Sequence, residues 1–258
     1  VTRQKETVVL IHGLSDSRDI WSRQVPFLQR YADVITYDIR GFGSSPVGAA
    51  NGTVDQMADD LAQLLSATTS GPAWLIGFSM GGVIAQRFAL DFPDRVAGLV
   101  LVASSCKIGR AGVEYFGQRI DLATTGGLEG LAPVNAEDAR NCLSANADET
   151  MVGQYQRLRV GANRHIGGYL NACRAMSALV GDGLLPELGK ITHPTSVIAG
   201  EHDPYCPPRA SEMIADAIPG AEFTVIPDVG HCLHWEAGDT LNQLIGDFIA
   251  RQGRKGAA

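Results

Sequence analysis

The sequence predicts an α/β protein: a mostly parallel sheet with helices on both faces and a helical insertion after the strand at 96–103. Three observations carry this. Short β-rich apolar runs alternate with amphipathic helical stretches, the pattern of strands joined by crossover helices. One run, Val96 to Ala103, is apolar throughout, as a strand buried on both faces requires. The alternation then stops over 104–190, which is too long for an ordinary connection and reads as a helical lid.

The elements follow in order. Thr7-Val8-Val9-Leu10-Ile11 is β-rich and stops at His12-Gly13. Val34 to Tyr37 is a second strand. Thr53 and Gln56 make a capping box, and Val54, Met57, Leu61, Leu64 and Leu65 follow at helical spacing. Ala73 to Ile76 is a third strand, and Val83 to Phe92 a helix ended by Pro93. After the insertion come a strand at Thr195 to Ala199, a helix begun by Pro207-Pro208, and a strand at Glu222 to Ile226. A last helix spans about Gly238 to Ala250, with Leu241, Leu244, Ile245, Phe248 and Ile249 on one stripe. The core is thus expected at 1–103 and 191–258, with 104–190 inserted, in one domain.

The 258 residues are 45% hydrophobic and 19% charged, which excludes a disordered chain. Folding at this length buries about 70% of the surface, so no disulfide scaffold is needed. The net charge of −7 argues against nucleic acid or an anionic membrane as partner. No apolar run is long enough to span a bilayer. The N-terminal residues are charged, unlike a signal peptide, and the five cysteines are widely spaced with no C-x-x-C. Together these predict a cytoplasmic protein with reduced thiols.

Gly77-Phe78-Ser79-Met80-Gly81 joins a predicted strand to a predicted helix. This is G-x-S-x-G in the context that gives it meaning: a tight turn that exposes the serine at the sheet's carboxyl edge. A hydroxyl needs a base, and His231, between the last strand and the last helix, is the candidate. Asp203 follows an earlier strand and is chosen over Glu201 to orient the imidazole. Two backbone N–H groups are expected to hold an oxyanion, those of Met80 and Leu14, while His12 braces its loop. His231 and His234 are three apart but lack a third ligand at suitable spacing, so no metal is expected, and no other cofactor.

With these segments in order, the chain resembles the α/β-hydrolase superfamily. The resemblance runs through His12-Gly13, Asp38-Ile39-Arg40-Gly41-Phe42-Gly43-Ser44-Ser45, the turn at Ser79, Gly200 to Asp203, and Gly230-His231. It is similar to the lid-bearing branch that contains 3-oxoadipate enol-lactonases, carboxylesterases and cofactor-free haloperoxidases. The resemblance implies a serine hydrolase of small carboxylic esters or lactones. It also admits C–C bond hydrolysis of ring-cleavage products, perhydrolase chemistry, and a receptor that retains the triad. It implies a structural role for the Asp38–Ser45 loop. Serine at 79 disfavours dehalogenase and epoxide hydrolase activity, whose enzymes carry aspartate there.

Between Glu149 and Asp182 no acidic residue occurs, while Arg157, Arg159, Arg164, Arg174 and His165 do. Arginines suit a carboxylate or phosphate. Arg157, Arg164 and Trp235 are the expected substrate contacts.

Overall fold

A computed structural model of the chain describes residues 5–255. One sheet holds β1 (Glu6–Ile11), β2 (Ala32–Thr36), β3 (Ala73–Phe78), β4 (Val96–Val102), β5 (Thr195–Gly200) and β6 (Glu222–Ile226). Every neighbouring pair is parallel, in the order β2-β1-β3-β4-β5-β6. The chain starts inside the sheet, steps outward to β2, then returns past β1 to β3. The loops after β1 and β3 therefore leave their strands in diverging directions. Open parallel sheets form their binding crevice at the carboxyl ends of such a reversal.

Side chains alternate across a strand, so a sheet covered twice needs two cores. On one face Val9 and Ile11 meet α2 (Val54–Thr68) and α3 (Met80–Asp91) through Leu61, Leu65, Val83, Ile84 and Phe88. On the other, Val8 and Leu10 meet Trp21, α1 (Val25–Leu28) and α9 (Gly238–Lys255) through Leu28, Leu241, Ile245 and Phe248. The apolar stripe expected on the last helix is this face, with Leu244 at its half-buried margin.

Thr53 caps α2 by accepting from the Gln56 amide at 3.2 Å. The reciprocal half of the capping box is absent. The Gln56 side chain instead bonds Asn51 N and Ala49 O, and Asn51 Oδ1 takes the Thr53 amide. The helix expected from Val83 begins at Met80, because the serine itself is the N-cap residue. The turn at Arg18–Arg23, α1 and α8 (Leu233–Glu236) carry too few residues for an apolar period, so the sequence pattern does not predict them.

Between β4 and β5 lie α4 (Arg110–Asn141), α5 (Glu149–Ala162) and α6 (Ile166–Ser177); α4 packs on both of the others. α4 breaks at Gly127, whose φ of 59° and ψ of −154° lie outside helical space. The two ends of the insertion are stitched together by Ile108 N to Leu179 O (3.0 Å) and Leu184 N to Cys106 O (2.8 Å). α7 (Pro208–Ala217) then covers β5 and β6. Among the described residues no helix is long and apolar enough to cross a membrane.

Candidate active site

The turn after β3 holds Ser79 at φ 52° and ψ −117°, a conformation that side chains rarely adopt. The surroundings fix it there. Ser79 N donates to Val102 O of β4 at 2.9 Å, and Ser104 Oγ donates to Ser79 O at 2.9 Å. A methyl group on Gly81 would run into the Ile11 and His12 carbonyls, so the helix start packs against the end of β1 only because that position is glycine.

His231 stands on the loop between β6 and α8. Its Nδ1 lies 2.7 Å from Asp203 Oδ2, and both side chains are buried. The other carboxylate oxygen, Oδ1, accepts the Tyr205 and Cys206 amides, each at 2.8 Å. Asp203 is thereby fixed by its own loop before it meets the imidazole. Burial pulls the His231 pKa down, but the charge and hydrogen bond of Asp203 outweigh it and leave the pKa raised. An imidazole held this way at Nδ1 presents Nε2 as a base. Phe78 and Tyr205 pack on the ring, with centroids 4.8 and 5.4 Å away.

The His231 loop is also tied to the insertion. The Cys142 carbonyl, at the end of α4, accepts both His231 N (2.7 Å) and Cys232 N (3.1 Å). The Glu236 carboxylate spans the same junction, accepting Gly230 N at 2.9 Å and Ser144 N at 2.7 Å. Gly230 has to be glycine here, since an added Cβ would sit 2.7 Å from Cys142 O.

After β1, His12 accepts the Ile39 amide at Nε2 (2.9 Å), so its proton sits on Nδ1 and points to Gly13 O (2.8 Å). It is buried and braces two loops, and burial lowers its pKa. Asp38 has the same kind of job, collecting Arg18 N, Ser44 N and Ser44 Oγ. Among the described residues no carbonyl or side chain accepts the Leu14 or Met80 amide.

A cavity of about 650 Å³ brings these groups together. Ser79, His231, Leu14 and Met80 all line it, below Tyr115, Phe116 and Met176 of the insertion. No hydrogen bond joins Ser79 to His231 in this structure, and such bonds tighten when substrate fills a site.

The expected substrate contacts fall elsewhere. Arg157 is exposed on the outer face of α5, in a surface groove with Arg18 and Gln154. Arg164 is exposed in the turn after α5. Trp235 is buried, but it packs against Tyr155 and under Arg23 and donates to Met151 O, away from the cavity. Among the arginines of that acid-free stretch, the one that reaches the cavity is Arg159. A signal for it was present. The buried positions of α5 are Val152, Tyr155, Arg159 and Ala162, a single helical stripe, with Arg157 facing the opposite way.

Asp16 and Cys142 also belong to this neighbourhood. Asp16 is fully buried, accepts Tyr155 OH at 3.1 Å, and has its pKa pushed up by burial. His234, wedged among Trp21, Phe78 and Tyr155, has its pKa pushed down to about 3 by burial and the nearby cations, and so is neutral. Among the described residues the atoms that cluster as metal ligands do come together at Glu201, His202 and Asp228, all exposed and outside the cavity.

Comparison with known proteins follows the same lines. The family profile described as alpha/beta hydrolase fold matches residues 6–238. The chain is 31% identical over 251 residues to a candidate carbamate hydrolase, RutD, of Variovorax paradoxus strain S110, covering 95% of this chain and 92% of that one. It is 26% identical to the solved enol-lactonase of Burkholderia xenovorans LB400, with a TM-score of 0.87 over 96% of this chain and 92% of that one. A thermophilic esterase of Thermogutta terrifontis gives 27% identity and a TM-score of 0.86, over 97% and 92%.

Proposed function

The chain belongs to the alpha/beta hydrolase fold family, and we propose that within it this protein is a serine hydrolase of small carboxylic esters or lactones. One observation carries the reading. A serine in a strained strand-to-helix turn shares a cavity with two unbonded amides and with an imidazole already held by a buried carboxylate. The relatives that act on esters and lactones support the substrate class.

Ser79 Oγ attacks the carbonyl carbon as His231 Nε2 takes its proton. Asp203 keeps the second ring proton on Nδ1 and stabilises the imidazolium that forms. The carbonyl oxygen gains charge and is held by the Leu14 and Met80 amides. Met80 opens α3, so its N–H is one of the orphan donors of a helix start and the helix dipole favours an anion there. His231 returns the proton to the leaving oxygen, giving an acyl group on Ser79. Water then repeats the sequence and frees the acid. The steps draw on side chains, backbone and water alone. The insertion acts as the lid that shapes the acyl pocket, and the cavity volume suits a small molecule.

The test is Ser79→Ala assayed with p-nitrophenyl acetate and with a panel of small lactones. Turnover should vanish while the melting temperature holds. Retained turnover overturns the assignment.

A further inference from the structure

Among the described residues Arg159 is the one buried arginine or lysine lining the cavity, and no carboxylate lies within ion-pair distance of it, buried Asp16 acting on it only from farther off. Only 5% of the residue is exposed. It makes a single bond, from Nη1 to Cys142 Sγ at 3.3 Å, and its buried Nε has no partner. Among the described residues no Asp or Glu oxygen comes within 4 Å of its guanidinium, although eight arginine–carboxylate pairings of that kind occur elsewhere.

The neighbouring acids are committed or muted. Asp138 is held by Arg119, Tyr115 and Tyr205. Asp203 is held by His231 and two amides. Asp16 bonds Tyr155 through Oδ1, and burial raises its pKa against the pull of Arg159. A buried charge without a partner is costly, and an interior retains one where a ligand completes it.

The rest of the wall agrees. The residues lining the cavity include Arg159, Lys107 and Arg110 but no Asp or Glu, in a chain whose net charge is −7. Arg110 is exposed and shares its charge with Glu114 at 3.4 Å, while Arg159 lies inside. One sign of charge in a low-dielectric cleft draws the opposite sign in.

We propose that the substrate carries a carboxylate and that Arg159 receives it, which makes the protein a hydrolase of anionic esters or lactones, such as monoesters of short dicarboxylic acids. The planar guanidinium suits a carboxylate, its Nε has no partner, and the residue lines the cavity that holds Ser79. This rests on the serine-hydrolase reading for the chemistry, though not for the binding.

The experiment separates the two. Phenyl hydrogen succinate, glutarate and adipate are each compared with the neutral phenyl ester in which a methyl group replaces the carboxylate. 4-Carboxyphenyl acetate is compared with phenyl acetate to place the charge on the leaving group instead. The wild type should favour the anionic member of at least one pair by tenfold or more in kcat/KM, and the pair concerned says which half of the substrate bears the charge. Arg159→Met should cut that anionic-to-neutral ratio at least tenfold, and Arg159→Lys should restore part of it. No anionic preference in any pair, or a ratio that survives Arg159→Met within threefold, overturns the proposal. Binding is read apart from turnover by titrating Ser79→Ala in a calorimeter with the anionic and neutral members of every pair. Tighter binding of the anion by tenfold in at least one pair supports the subsite even if Ser79→Ala still hydrolyses esters, an outcome that sinks the nucleophile assignment alone. Equal binding within every pair overturns the subsite whatever Ser79 does.

Discussion

Asp203→Asn changes one atom and should disable the base without unfolding the loop. The carboxylate now uses both oxygens: Oδ1 takes the Tyr205 and Cys206 amides, and Oδ2 takes His231 Nδ1–H. A carboxamide has one oxygen. If it stays on the two amides, its NH₂ faces His231, Nδ1 must become an acceptor, and the ring proton moves to Nε2. The base is then blocked at the atom that should receive the serine proton. The other orientation turns NH₂ toward two backbone donors and leaves both unsatisfied, at about 1–3 kcal/mol each. The first orientation therefore wins by roughly 2–6 kcal/mol. A wrong tautomer of this kind costs about 10⁴-fold in kcat, or roughly 5 kcal/mol of transition-state stabilisation. The assay is p-nitrophenyl acetate hydrolysis, run beside a thermal melt. The expected result is a loss of at least about 10³-fold, with the melting temperature within about 3 °C of wild type. Retention of more than a tenth of kcat would refute the tautomer argument. So would a loss matched by a collapse in melting temperature, because the loop bonds would then be the casualty.

The remaining predictions concern pH, the junction and the turn. Asp203 holds the His231 pKa above its ordinary 6.5, so the acid limb of kcat/KM should fall at a midpoint above 6.5; a midpoint at or below 6.5 would show that burial wins instead. The sign for stability is the reverse. The protonated pair contributes fully below pH 6.5, and that contribution is lost as pH rises through the raised pKa, so chemical melts from pH 6 upward should show it. Glu236→Ala strips the acceptor from the Gly230 and Ser144 amides and should cost about 2 kcal/mol in a denaturant melt, with kcat reduced because the base loop loosens; an unchanged melt would mean that water replaces the carboxylate without penalty. Gly81→Ala should give little soluble protein, since its methyl group meets main chain that has nowhere to move; a normally folded variant would disprove the packing.

Much of this was written in local sequence, and the boundary is physical. The strands and crossover helices follow from apolar period and run length, which act over a few residues. The serine turn is also local, because the small residues it needs are adjacent in the chain. Asp203 and His231 were legible as residues that follow strands, since a parallel sheet delivers every such loop to one edge. What lay hidden depends on how the insertion settles on the core. Arg157 and Arg164 were the expected contacts because they sit in a stretch free of acid. The choice among arginines is made by which face of α5 turns inward, and Val152, Tyr155 and Ala162 turn Arg159 in with them. Trp235 follows the base in sequence, but the short turn of α8 points it toward α5 rather than the cavity. The Glu236 clamp joins residues about ninety positions apart, and no pattern in one sequence encodes that.

The tether between the Cys142 carbonyl and the His231 loop is made of main chain at both ends. No side chain has to be preserved for it, only a path that returns one carbonyl to the same spot against Gly230. On the proposed reading, such an insertion should be exchangeable as a cassette. Its helices can be rewritten for a new acyl group while the base remains where Asp203 holds it. Novelty in substrate and constancy in chemistry are then inherited separately, and a graft that keeps the chain path at 142–144 should transfer selectivity without rebuilding the catalytic edge.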